Sequence, residues 1–172
     1  MWPRDEFSDF FRRSRCGLTS LTLGPMLGVM FNDSDVVSLL QSTPTLAELK
    51  LHDSTGSLSG RVITPELCQC LHIPPLVPAT FTQFTGPLVL NLEKLALGVN
   101  LHLAAFDEDV LVRMILSRCQ LIDMSGPEGS NFLRRLELRF ISDDDDDYLF
   151  DHIKSSVLAI KSMSIMRWPG PA

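Results

Sequence analysis

Seven polar and charged side chains fall at spacings that would gather them on one surface: Glu48, Lys50 and His52, then Lys94, then Arg135, Glu137 and Arg139. Within each group they alternate with apolar residues, as in Glu48-Leu49-Lys50-Leu51-His52. Period-two alternation sends the leucines to one face of a strand and the charges to the other. Stacked side by side, such strands would read Ser20, Glu48, Lys94, Arg135, Ser162 in one row. The next row is Thr22, Lys50, Ala96, Glu137, Ser164, and the third Gly24, His52, Gly98, Arg139, Met166. The chemistry open to this set is recognition. Lys94, Arg135 and Arg139 make the third and fourth strands locally basic, which suits an acidic or mixed-charge protein surface. The competing reading is a solvated face whose charges pair with each other, Glu48 with Lys94 and Glu137 with its two arginines. Each such exposed pair is worth under about 1 kcal/mol.

Catalytic patterns are absent from the sequence. His52, His72, His102 and His152 are scattered and form no H-E-x-x-H. Gly56-Ser57-Leu58-Ser59-Gly60 has Leu where a hydrolase elbow needs its nucleophilic Ser, and reads as a loop. Neither a phosphate-binding nor a dinucleotide-binding glycine motif occurs. Cys68 and Cys70 are one residue apart while Cys16 and Cys119 stand alone, so no C-x-x-C starts a zinc site and the expectation is buried, reduced thiols. Asp143 to Asp147 has neither the alternation nor the Gly of a calcium loop and reads as a solvated turn before a helix. The expectation is a protein that is not an enzyme and takes no cofactor or metal.

The elements that must position the polar rows can be read from one apolar template, a large residue followed at +3 and +5 by two more. It recurs as Leu18-Leu21-Leu23, Leu46-Leu49-Leu51, Leu92-Leu95-Leu97, Leu133-Leu136-Leu138 and Ile160-Met163-Ile165, at intervals of 28, 46, 41 and 27 residues. Each is a short strand. Between them the spacing turns helical, in Phe7/Phe10/Phe11, Val36/Leu39/Leu40, Val110/Leu111/Met114/Ile115 and Leu149/Phe150/Ile153. Asp33, Thr64 followed by Pro65, Asp107 and Ser142 are the expected helix caps. The tripeptide Ser14-Arg15-Cys16 returns as Ser117-Arg118-Cys119, a mark of duplication.

A strand and a helix repeated about five times cannot bury an apolar face within one unit, so neighbouring units must stack. The expected fold is an α/β leucine-rich-repeat solenoid of four to five irregular repeats, with a parallel sheet on the concave face and helices on the convex one. Residues 1–172 form one such domain. Within it, 1–17 is a helix completing a preceding repeat, 72–91 a Pro-rich insertion in which Phe81 and Phe84 pack back on the body, and 120–131 a loop insertion. Only Asn100 occupies the position of the repeat asparagine; Met26, Ser54, Ile141 and Trp168 replace it elsewhere, so a continuous side-chain ladder at the turns is not expected.

Composition agrees with a packed domain. The chain has 172 residues, 28 of them Leu, with 45% hydrophobic and 21% charged residues. The net charge of −6 argues against nucleic acid and anionic membrane as partners. No apolar run reaches the roughly 18 residues of a membrane helix. Acids at Asp5 and Glu6 stand where a secretory signal would be basic and then apolar, so an intracellular protein, cytoplasmic or nuclear, is expected, with the sequon at Asn32 unused.

Three stretches carry a family likeness: Cys16-Gly17-Leu18-Thr19-Ser20-Leu21-Thr22-Leu23, the segment from Asp33 to Leu49, and Leu92-Glu93-Lys94-Leu95. They resemble the C-terminal leucine-rich region of F-box-like proteins from mushroom-forming fungi, over most of the chain from Leu18 to Ile165. The resemblance implies the substrate-recognition part of a cullin-type ubiquitin ligase, with repeats that hold a protein target. Contact with the ligase adaptor would run through an F-box segment, and no such segment is expected within these residues. The alternative is a repeat-only scaffold or a degenerate fragment unconnected with ubiquitin.

Overall fold

A computed structural model describes residues 4–14, 17–24, 32–53, 62–73, 89–100, 107–119, 133–142, 151, 155 and 163–169. In chain order they form α1 (Arg4–Ser14), β1 (Ser20–Leu23), α2 (Asp33–Gln41), β2 (Glu48–His52), α3 (Pro65–Leu71), β3 (Lys94–Asn100), α4 (Glu108–Cys119), β4 (Arg135–Ser142) and β5 (Met163–Pro169). The five strands make one parallel sheet whose spatial order is the chain order.

Its register follows the apolar template. Leu21, Leu49, Leu95, Leu136 and Met163 lie in one row, and Leu23, Leu51, Leu97, Leu138 and Ile165 in the next. In β2, β3 and β4 these leucines are at most 1% exposed. They share a single core with Val36 and Leu40 of α2, Leu67, Cys68 and Leu71 of α3, and Val110, Leu111, Met114, Ile115 and Cys119 of α4. Helices therefore cover the leucine face and leave the other face polar. A parity shift of one residue in any strand would exchange the two faces, so burial on one side locks the register.

One backbone arrangement recurs at each of the first three strand junctions. The carbonyl one position after the first template leucine accepts two N–H groups from the next strand. Thr19 takes Ala47 and Glu48, Ala47 takes Glu93 and Lys94, and Glu93 takes Arg134 and Arg135, at 2.7–3.0 Å. The leucine itself closes a turn, Leu46 N–H to Thr43 O and Leu92 N–H to Val89 O, both 3.2 Å. Equivalent template positions thus do equivalent work despite unequal spacing in the chain. Replacing Leu95 or Leu136 by Ala is expected to cost roughly 2–5 kcal/mol. Thermal melts of both variants matching the parent would contradict that packing.

Two expected caps hold and one is corrected. Thr64 accepts from Leu67 N–H at 3.2 Å with Pro65 beginning α3, and Asp107 accepts from Val110 N–H at 3.1 Å. At α2 the cap is Asn32 in place of Asp33, because Asn32 and Asp35 each accept the other's backbone N–H in a reciprocal box, at 3.0 and 2.9 Å. Asp33 sits one residue inside and accepts the Thr64 hydroxyl at 3.0 Å, tying α2 to the start of α3. Ser142 is the last residue of β4 and pairs with Pro169; the start of the helix it is expected to cap lies outside the described residues. The strands here outrun the template, since Val99 and Phe140, both 0% exposed, extend the core past it.

The first unit departs from the expected packing as well. Phe7 and Phe10, read as a core stripe, are 37% and 55% exposed, and Leu21 and Leu23 are only half-buried. α1 and β1 stand at the end of the row, where no described element covers their outer side. The Val36 and Val110 stripes are buried as expected. Cys68 and Cys119 are buried and Cys70 is partly exposed. Cys16, Arg15, Phe11's side chain, Phe81, Phe84, the 120–131 insertion, Asp143 to Asp147 and the stripe at Leu149 and Phe150 lie outside the described residues. Among the described residues no helix is long and apolar enough to cross a membrane.

Candidate functional site

The polar face is assembled by strand register, which brings together on three strands residues 41 to 91 positions apart because every strand is parallel and in step. Glu48 pairs with Lys94 and Lys94 with Arg135; Lys50 with Ala96 and Ala96 with Glu137; His52 with Gly98 and Gly98 with Arg139. All seven site residues expected from the sequence therefore share one surface, in the expected rows. Ser20 and Thr22 extend two rows onto β1, and Ser164 and Met166 extend the second and third onto β5. Ser162 lies outside the described residues, and β1 ends before Gly24.

Ion pairs organise this face. Lys50 Nζ is 2.8 Å from Glu48 Oε1, and Lys94 Nζ approaches Glu48 Oε2 at 3.6 Å. Arg139 grips Glu137 Oε1 through both Nη2 at 2.6 Å and Nε at 2.7 Å, while Arg135 Nη2 stays 3.9 Å from Oε2. Each carboxylate is thus satisfied chiefly by the cation two positions away on its own strand. The bond from Lys50 holds the Glu48 carboxyl below the usual carboxylate range. Burial, and then the Arg139 charge, lower the His52 pKa, so its imidazole is neutral at pH 7. Four cations against two carboxylates leave these rows positive on a chain that is acidic overall.

Small residues shape the surface. Ala96 lies between Lys50 and Glu137 in its row, and its short side chain leaves a depression of about 110 Å³ lined by Glu48, Lys50, Lys94, Ala96, Arg135 and Glu137 with Leu49 and Leu95. Gly98 makes room for the neighbouring imidazole, since a Cβ there would collide with His52 Nδ1. Both residues stand in rows legible from the sequence. Their role as gaps follows only once the long side chains beside them are placed.

No family model, curated protein or solved structure matches the chain. Among the described residues no group of three or more His, Cys, Asp or Glu is gathered as a metal site would require.

Buried polar residues, Asp53 and Arg118 among them, were not anticipated. Asp53 is 1% exposed and its carboxylate accepts the N–H groups of Val62 and Ile63, each at 2.9 Å, and of Asn100 at 3.3 Å. Continuing the Leu49-Leu51 alternation by one step puts Asp53 on the core face, and an acid at a core position was the available signal. Asn100, the one expected repeat asparagine, is buried in the last position of β3. Arg118 is 1% exposed and donates from Nε to Leu71 O at 2.6 Å and from Nη1 to Val89 O at 3.4 Å. Beside it, Ser117 Oγ accepts Ile73 N–H at 3.1 Å. Ser117 and Arg118 together hold both ends of the Pro-rich insertion.

Proposed function

We propose that this chain is a leucine-rich-repeat solenoid that binds a protein target across its open sheet face. On the resemblance of its three motif segments, it serves as the target-recognition part of an F-box-like subunit of a cullin-type ubiquitin ligase. The observation that carries the reading is the open sheet itself. Parallel strands in unbroken chain order, repeating one junction geometry, carry a continuous polar face with surplus positive charge opposite the helix-covered core. A curved stack of such units offers that face as its longest contact surface. The surplus cations favour acidic partners by steering and by complementary pairing.

Reversing the charge tests the face. In affinity purification with quantitative mass spectrometry, Lys94→Glu with Arg135→Glu is expected to deplete the captured partners by about tenfold or more, equivalent to ~1.4 kcal/mol of binding. An unchanged partner set would place recognition elsewhere. The ubiquitin link has a separate test. A cullin adaptor should co-purify with a gene product that carries an F-box segment and not with residues 1–172. Its absence from both would leave a repeat scaffold without that connection.

A further inference from the structure

Lys94 and Arg135 are the least committed charges on the open face. They are direct neighbours across β3 and β4, with side chains 53% and 68% exposed. Their nearest carboxylates, Glu48 and Glu137, already hold Lys50 at 2.8 Å and Arg139 at 2.6 Å, so Lys94 and Arg135 keep only long contacts of 3.6 and 3.9 Å. Contacts of that length made by exposed cations contribute little, and giving them up for a better partner costs little. The depression floored by Ala96 lies beside both cations.

Resting on the open-face reading above, we infer that this depression receives one Asp or Glu side chain of a bound acidic peptide, with Lys94 and Arg135 as its counter-charges. The surplus charge calls for an anion. Lys50, Lys94 and Arg135 line the depression against Glu48 and Glu137, and Arg139 already offsets Glu137 at 2.6 Å, so the rows keep a positive surplus beside Lys94 and Arg135. A carboxylate takes up part of that surplus. Arg135 supplies a planar fork that matches a carboxylate in a bidentate pair, and Lys94 a point charge beside it. Ala96 sets the depth, because any longer side chain in its row would fill the space.

Fluorescence anisotropy with labelled hexaglutamate as probe, at about 50 mM salt where screening is modest, reads the inference directly. Hexaglutamate is expected to bind and hexaglutamine not. Ala96→Leu, which fills the depression without changing charge, should weaken binding by about tenfold or more. Lys94→Gln and Arg135→Gln should do the same without touching the packing, and circular dichroism confirms that each variant is folded. Arg134→Gln removes an equal charge outside the rows, from a side chain 77% exposed beside Glu93, and should leave binding unchanged. The inference is overturned if hexaglutamate does not bind, if folded Ala96→Leu binds as the parent does, or if Arg134→Gln weakens binding as much as Arg135→Gln. Partner capture separates this failure from failure of the open-face reading. Partners lost with Lys94→Glu/Arg135→Glu but retained with Ala96→Leu keep the face and reject the carboxylate pocket. Partners retained by both reject the face itself.

Discussion

Asp53→Ala is expected to lower the unfolding free energy by roughly 3–5 kcal/mol, a large share of the roughly 5–15 kcal/mol that holds an ordinary domain folded. The carboxylate ties together three parts of the chain. Its Oδ1 takes the N–H groups of Val62 and Ile63 as the chain enters α3, and its Oδ2 takes that of Asn100 at the end of β3. The Asp53 N–H donates in turn to Gly98 O at 2.8 Å. Removing the carboxylate strands buried donors, and each costs about 1–3 kcal/mol when left without an acceptor or a water. Asp53→Asn should cost less, because one oxygen still serves Val62 and Ile63 while the amide nitrogen turned toward Asn100 sets donor against donor. Urea midpoints give the totals. Hydrogen exchange gives the location, with the Val62, Ile63 and Asn100 amides expected to lose protection before those of β4. An alanine variant with the parent's midpoint would remove Asp53 from the list of structural residues.

Arg118→Ala should be comparably severe, at roughly 3–5 kcal/mol, for a different mix of reasons. Leu71 is the last residue of α3, so its carbonyl belongs to the helix end that lacks intrahelical donors and carries the negative end of the dipole. Arg118 of the next helix supplies the missing donor at 2.6 Å. Its second contact reaches Val89, a β-branched residue held at φ 49°, in the left-handed region that costs about 1–3 kcal/mol unless its surroundings enforce it. Burial pushes the guanidinium pKa down to about 10, so it is still charged at pH 7 and its desolvation is a standing cost. Arg118→Met separates these effects. It refills most of the stem's volume and removes the buried charge, leaving only the carbonyls unserved, and is expected to cost about 1–3 kcal/mol. Equal urea midpoints for the alanine variant and the parent would show that α3 and the insertion do not depend on this contact.

The core and the polar rows were legible because they obey short-range periodicity. Leu49 and Leu51 face inward for the same stereochemical reason that Lys50 faces outward, and the rule needs no knowledge of the rest of the chain. Matching the +3 and +5 template between segments then fixed which residues stand side by side, down to Glu48 beside Lys94 and Glu137 beside Ala96. Caps were legible where a local donor decided them, as at Thr64 and Asp107. At α2 two adjacent candidates competed, and reciprocal bonding with Asp35 selected Asn32.

The exposed Phe7 and Phe10 mark a limit of the same reasoning. Helical spacing says that a stripe exists, whereas burial needs a neighbour to lie against it, and α1 stands at the end of the row. Polar groups in the core mark another. Asp53 meets Asn100 across 47 residues, and Arg118 meets Leu71 across 47 and Val89 across 29. No local pattern encodes those partners.

By itself, then, the sequence determined the strands, the face presented by β2, β3 and β4 and the neighbours along their rows, since alternation and template phase are properties of the chain alone. The tertiary structure decided which charges are spent and which are spare. Ion-pair lengths of 2.6 and 3.9 Å around one Glu137 depend on how the side chains of β4 are placed, and the depression that Ala96 leaves depends on long side chains from three strands.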